Sequence, residues 1–397
     1  MHNGVRLLVL AVALTPSVVL AQRDTTARRD SAATDTTRPF VRGGVYDKPF
    51  QTRLLGRTAI GGYAEVHARY QRVDGASAES GFDAKRFNLF TSTRVSDIVT
   101  MASELEVEEG GREITLEYAA IDIRVHPAFA IRGGMLLSPL GRFNLSHDSP
   151  LNEFTDRPLV STEVLGVALS EPGIGAFGRF PAGRRGRVTY ELYATNGFHD
   201  GLITGSEAGT RIPLGTGNTE DNNGSPAIVG RLAWSPGYQH EFGISTHRGA
   251  WNRFVADGVQ VDERRDVQLN VLDAETAVAG VELRGEVAMA RVDVSPELRG
   301  IFAERQRGFY AEATRTFGRG WVRTVPTSAF LLKARVDQVD FDTQRVGDSI
   351  AQFTVGVNFR PTTDSVIKLD YVRGRSRDRF NNPSDHAFLL ASIATYF

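Results

Sequence analysis

The chain has 397 residues, 41% of them hydrophobic, with 46 Lys and Arg against 47 Asp and Glu and a net charge of −1. It contains no cysteine, which excludes a disulfide framework and thiolate metal sites. The balanced charge offers no basic surface for nucleic acid, and past residue 21 no apolar run reaches the roughly 18 residues of a membrane helix.

Residues 1–21 read MHNGVRLLVLAVALTPSVVLA. Arg6, the compact apolar run Leu7 to Leu14 and the small-residue step Val19-Leu20-Ala21 predict a cleaved signal peptide. Residues 22–57 are expected to form a periplasmic N-terminal leader, first polar (QRDTTARRDSAATDTT), then punctuated by Pro and Gly. From Thr58 to Phe397 the pattern is period two. In "MASELEVE", Leu105 and Val107 alternate with Glu104, Glu106 and Glu108. In "QFTVGVNFR", Phe353, Val355, Val357 and Phe359 alternate with polar residues or Gly, and in "VIKLDYV" Ile367, Leu369 and Tyr371 alternate with Lys368 and Asp370. Successive side chains of a strand face opposite ways, so each stretch is a strand with one apolar and one polar face.

The segments predict about sixteen strands near 58–70, 83–95, 98–108, 113–125, 128–138, 166–180, 186–198, 226–235, 239–248, 266–273, 278–292, 307–317, 328–341, 350–360, 364–374 and 386–397. The strand at 113–125 changes phase, which calls for a bulge near Ala119-Ala120. Short connections such as 126–127, 181–186, 273–277 and 361–364 alternate with long polar ones at 71–82, 139–165, 199–225, 249–265, 293–306 and 375–385. The alternation predicts an all-β, antiparallel up-and-down barrel with its long loops on one side. A closed sheet of that many strands is too wide for side chains to fill its interior. The apolar face then meets lipid and the polar face a lumen, a transmembrane barrel of the outer membrane. Phe397 ends the chain on the parity of Leu389 and Ile393 and is expected to be a terminal aromatic signal to the barrel-assembly machinery. Trp234, Tyr193 and Tyr371 are expected in interfacial aromatic belts.

The stretches FDAKRFNLFTSTRVSD (82–97) and ELEVEEGGREITLEYAAIDIRVHPAFAIRGGMLLSPLGRFN (104–144), continued by HDSPLNEFTDRPLVSTEVLGVALSEPGIGAFG (147–178), resemble porins of the phosphate-selective porin O/P-like superfamily. The resemblance implies a sixteen-stranded barrel, a homotrimer, in the outer membrane of a diderm bacterium. It does not carry phosphate selectivity, because the lumen-parity charges are mixed. Arg86, Arg124, Arg132, Arg284, Lys333, Arg335 and Lys368 are offset by Glu104, Glu106, Glu117, Glu286 and Asp370 as pore-lining residues.

The connection 139–165 is expected to fold inward and narrow the pore, with Arg142, Asp148, Glu153, Asp156 and Arg157 at the constriction. His147-Asp148-Ser149 is not a catalytic arrangement, since three consecutive residues do not converge as a triad does. No metal motif or cofactor fingerprint is present, and "TEDNNGS" (219–225) lacks the spacing of a calcium loop. The expectation is therefore a non-enzymatic, water-filled channel for passive diffusion of small hydrophilic solutes and ions, in contact with outer-membrane lipid and lipopolysaccharide. The alternative is a barrel plugged by its own loops, with a structural or adhesive role.

Overall fold

The computed structural model describes Lys48, the backbone of Thr52–Leu54, and residues 57–397; the expected signal peptide and most of the leader lie outside the described residues. Sixteen antiparallel strands close into one barrel. They are Thr58–Val73 (β1), Ala76–Arg94 (β2), Val99–Glu108 (β3), Glu113–His126 (β4), Phe129–Leu137 (β5), Ser170–Ala182 (β6), Gly186–Thr195 (β7), Ala227–Gly237 (β8), His240–Ala250 (β9), Asp266–Val278 (β10), Val281–Val292 (β11), Arg305–Phe317 (β12), Ala329–Asp340 (β13), Ser349–Arg360 (β14), Ser365–Arg377 (β15) and Pro383–Tyr396 (β16). Each pairs with the next, and β16 returns to β1 in the register Tyr396↔Tyr63 to His386↔Val73. The turn end of the barrel holds Thr58, Tyr396 and most of the tight connections, together with the longer 318–328; the loop end holds the long connections 138–169, 196–226, 251–265 and 293–304, beside the short turns at 74–75 and 109–112.

Closure at the turn end is completed by two short pieces. Phe397 N–H donates to the Gly62 carbonyl (2.9 Å) and Gly62 N–H to the Phe397 carbonyl (3.2 Å). Beyond them Thr52–Leu54 pairs with Thr58 to Ile60 of β1. The edge that β16 is too short to cover is thus capped, as a bilayer requires of any sheet that spans it.

The two faces of the wall are inverted relative to a soluble barrel. Leu105, Ile121, Leu272, Val287, Leu369 and Ile393 are exposed outward, whereas Glu104, Glu117, Glu286, Lys333, Lys368 and Asp370 are buried inside. An apolar exterior around a charged interior is the arrangement that lipid selects.

Several boundaries differ from the expectation. Residues 71–82 are not a loop: β1 and β2 run on and turn at Asp74-Gly75, both with positive φ (49° and 83°). Asp-Gly is the preferred pair for such a hairpin turn. The alternation fades there because this hairpin is exposed on both faces, residues 76–84 included. The turn after β10 is Ala279-Gly280, not 273–277. The loop 375–385 shrinks to 378–382. The bulge in β4 falls at Glu117, since Glu104 pairs with Tyr118 and Leu105 with Leu116. Tyr118 therefore turns inward with Glu117.

Candidate functional site in the lumen

The connection between β5 and β6, 138–169, enters the barrel. It starts at the loop end, where Asn144 donates from its amide to the Ser138 and Leu169 carbonyls (2.7 and 3.0 Å) and ties the two limbs together. The Gly141 N–H bonds the Ser245 hydroxyl of β9 (2.9 Å), and the Phe143 N–H bonds Glu286 of β11. Arg142 sits between Glu241 of β9 and Glu275 of β10 at 3.7 and 3.6 Å. The tip then crosses to the opposite wall near the turn end, where Leu151 packs on Tyr63, Phe90 and Tyr396.

Each residue of the tip has its own anchor. Tyr396 donates to Asp148 (2.9 Å), and the Ser149 hydroxyl donates to Glu65 (2.5 Å). Lys368 of β15 donates to the Ser149 and Phe154 carbonyls (2.9 and 3.1 Å). Glu153 accepts from Asn358 (2.7 Å) and pairs with Arg360 (2.9 Å), both on β14. The Thr155 N–H bonds Asp370 (2.9 Å). The Phe154 ring is flanked by the Lys333 ammonium at 5.0 Å and the Arg335 guanidinium at 4.5 Å. The chain climbs back through Asp156, paired with Arg69 of β1 at 2.7 Å, and Leu159, whose N–H bonds Asp337 of β13.

The crossing creates a charged waist. Asn88 of β2, fully buried, donates from one amide nitrogen to Glu104 (2.9 Å), Glu106 (3.1 Å) and Glu117 (3.3 Å). Lys48 of the leader bonds Glu104 and pairs with Asp148 at 3.0 Å. Arg86 lies against Glu65, Glu106 and Glu108. His147 donates from Nδ1 to the Asn144 carbonyl and meets the Glu117 carboxylate with Nε2. Burial lowers the imidazole pKa, but the Glu117 charge and hydrogen bond outweigh it and the net shift is upward. Burying so many charges costs several kcal/mol per ion unless each is paired; here Glu104 is paired with Lys48, Glu117 with His147 and Arg86 with Glu108.

Toward the loop end of β10–β13 the interior is apolar. Val267, Leu269, Val271, Ala288, Ala290 and Val292 face inward and pack against Leu140, Phe143, Val160, Val164 and Leu165 of the loop and Phe198, Leu202 and Ile212 of the next one. The interior is therefore not lined by polar residues throughout, contrary to the expectation. Above the waist, on the β1–β2 side, a cavity of about 620 Å³ remains, lined by the loop from Ser149 to Glu163 and by β1, β2 and Lys368.

All twelve residues expected to line the pore lie on the inner face. Arg132 pairs with Asp122 at 2.7 Å, Arg124 approaches the same carboxylate at 3.7 Å, and Arg284 meets Glu275 at 3.3 Å. The five expected loop residues all lie in the loop that enters the lumen. Tyr193 belongs inside rather than in a belt: it is 1% exposed and donates to Glu191 (2.6 Å). Its parity along β7 matches that of Glu191, which the sequence already displays. Trp234 and Tyr371 are exposed outward, and Phe397 stacks on Phe87 at 5.5 Å. His147, Asp148 and Ser149 point to three different partners, Glu117, Lys48 with Tyr396, and Glu65. Asn88, Asn358, Arg360 and Lys48 are the site residues that pattern reading passed over. The first three sit on polar parity and were recoverable; nothing in the leader marks Lys48.

No family model matches the chain. An uncharacterised protein of Aquifex aeolicus (strain VF5) is 26% identical over 361 residues, covering 82% of this chain and 77% of that protein. Among solved structures, the outer membrane channel DcaP of Acinetobacter baumannii superposes with a TM-score of 0.54 at 12% identity, covering 88% of this chain and 100% of that one. The anion-selective porin from Comamonas acidovorans gives a TM-score of 0.54 at 12% identity, covering 86% and 99%. At these identities the likeness establishes a porin-type barrel fold and does not extend to what passes through it.

Proposed function

We propose that this protein is an outer-membrane channel for passive diffusion of small hydrophilic solutes, its passage narrowed by the lumen loop. The observation that carries the reading is the charged waist: a loop drawn across the lumen, with the carboxyl groups of Glu104, Glu106 and Glu117 facing Lys48, Arg86 and the His147 imidazole. Such facing charges set a transverse field that orients polar solutes without a strong preference for one ion sign. Arg142, Asp148, Glu153, Asp156 and Arg157 act as the constriction loop. The proposal includes assembly as a homotrimer in contact with lipid and lipopolysaccharide, with Phe397 as the assembly signal. Cross-linking in native membranes that yields only monomers would remove the trimer.

The plugged-barrel reading is favoured by a specific observation, the apolar cluster that packs the lumen loop against the loop end of β10–β13. Single-channel recording in a planar bilayer under a salt gradient separates the two. Small, stepwise, ohmic conductance supports the narrowed channel. Absence of conductance from heat-modifiable, folded protein overturns it in favour of the plugged barrel.

A further inference from the structure

We propose that the outer wall of the barrel binds a phosphorylated lipid of the leaflet at its loop end, with the phosphate on Arg373 and an acyl chain along a groove between β12 and β15. The proposal deepens the outer-membrane reading and rests on it for the leaflet, though not for binding itself.

The groove encloses about 510 Å³ on the outside of the wall. Its floor is Phe309 of β12, Val336 of β13, and Ala351 and Phe353 of β14, all exposed outward. Gln338, Arg373, Arg375 and Asp385 form its rim. Strand register brings these residues together. Phe309, Gln338, Ala351, Arg375 and Asp385 are cross-strand neighbours in turn. One level nearer the turn end, Val336, Phe353 and Arg373 form a second row. Ala351 is the small residue among larger ones, and the depression opens over it.

Arg373 is out of place in that second row. Phe353 lies beside it, and Tyr371 is the next outward residue below it on β15. A cation on the lipid face is unfavourable at hydrocarbon depth and tolerated near the interface, where headgroups lie. Arg373 is 58% exposed, and its nearest carboxylate, Asp385, is 3.6 Å away. That carboxylate already accepts from both Nε and Nη2 of Arg375, at 2.7 and 3.3 Å. Two guanidinium groups thus share one carboxylate, which leaves a positive charge at the mouth of an apolar groove. An amphiphile with an anionic head complements both features, since arginine takes a phosphate through paired N–H donors. The same edge of the wall repeats the theme. Arg291 of β11 and Arg305 of β12 are exposed and directly opposite each other, and neither has an ion pair among the described residues. Like charges so placed destabilise a sheet, and a headgroup phosphate relieves that repulsion. Below them the wall turns apolar at Val287, Met289 and Phe309. The arginines therefore mark a headgroup level, as basic clusters at a leaflet do.

The test is native mass spectrometry of the purified full-length protein in detergent, titrated with diphosphoryl lipid A or with the same glycolipid stripped of its phosphates. The phosphorylated form is expected to bind saturably and at least about tenfold more tightly than the stripped one. Arg373→Gln should weaken its binding by a similar factor, and Ala351→Trp, which fills the groove, should do the same. Arg315→Gln, which removes an exposed outward charge near the turn end of β12, should leave binding unchanged. Equal binding of the two glycolipids by folded wild-type protein overturns the proposal, and that result depends on no variant folding. Displacement of the lipid by an excess of inorganic phosphate also overturns it, because the acyl chain would then contribute nothing. Lipid binding without conductance would sink the channel and keep the site; conductance without lipid binding would do the reverse.

Discussion

Lys333 on β13 and Asp370 on β15 pair at 2.7 Å across an intervening strand, and the residue between them is Gly356, where a Cβ would meet both side chains. Arg231 on β8 reaches Asp273 on β10 in the same way over Gly243. These glycines are there for space, since a side chain would stand in the path of the ion pair. Gly356→Ala should therefore separate Lys333 from Asp370 and cost about 3 kcal/mol, the scale for breaking a buried pair. A thermal unfolding midpoint in detergent equal to wild type would contradict this. A second residue-scale prediction concerns pH. Glu117 raises His147 against the effect of burial, with Asp148 adding and Arg157 opposing. Arg360 and Arg284 outweigh burial to hold Glu153 below the usual carboxylate range. A raised imidazole stabilises fully below its unfolded value, roughly 6.5, and loses that contribution as pH rises through its folded value. A depressed carboxyl does the opposite, stabilising above its unfolded value of about 4.3 and failing as pH falls through the folded one. The loop is then most tightly docked between these limits. Protease cleavage within 138–169 should increase at alkaline pH, and His147→Gln should flatten that alkaline rise while leaving the acid limb.

At the scale of the element, the lumen loop is held by bonds to many strands rather than by a core of its own. Its tip depends on Asp148 and Glu153, which bind Tyr396 and Lys48, and Asn358 and Arg360. The double variant Asp148→Asn, Glu153→Gln removes two negative charges and weakens two anchors. Reversal potentials should shift toward anion preference and open-channel noise should rise; an unchanged reversal potential would place the tip outside the ion path. The terminal strand offers a parallel case. Phe397 lies over Gly62, where a Cβ would strike its ring, and stacks on Phe87. Deleting Phe397 removes two backbone hydrogen bonds and the aromatic cover from the seam. Folded protein recovered in membranes should fall several-fold, read as the heat-modifiable band on a gel.

For the whole molecule, the barrel interior has two characters, charged along most of the wall with the waist and the cavity, and apolar where loops pack against the loop end of β10–β13. Strand alternation reported the polar half correctly and concealed the other, because Val267, Leu269 and Val271 are inward residues of a strand whose outward residues, such as Gln268 and Asn270, are polar at that level. Near the loop end the outer wall need not be apolar, so the rule that polar means inside fails there. The same cause hid the extension of β1 and β2 past 71–82, where both faces are polar.

The sequence by itself determined the barrel, the strand count, the inner position of the charges from Arg86 to Asp370, and the closing role of the last strand. Each follows from period-two geometry, which is local and survives in a linear string. Only the tertiary structure decided that 138–169 crosses the lumen, that Asn88 joins three glutamates from two strands, and that Lys48 enters the waist. These are contacts between residues up to hundreds of positions apart, and no periodicity encodes them. The chain states which way each side chain faces, and closure of the ring decides what it meets.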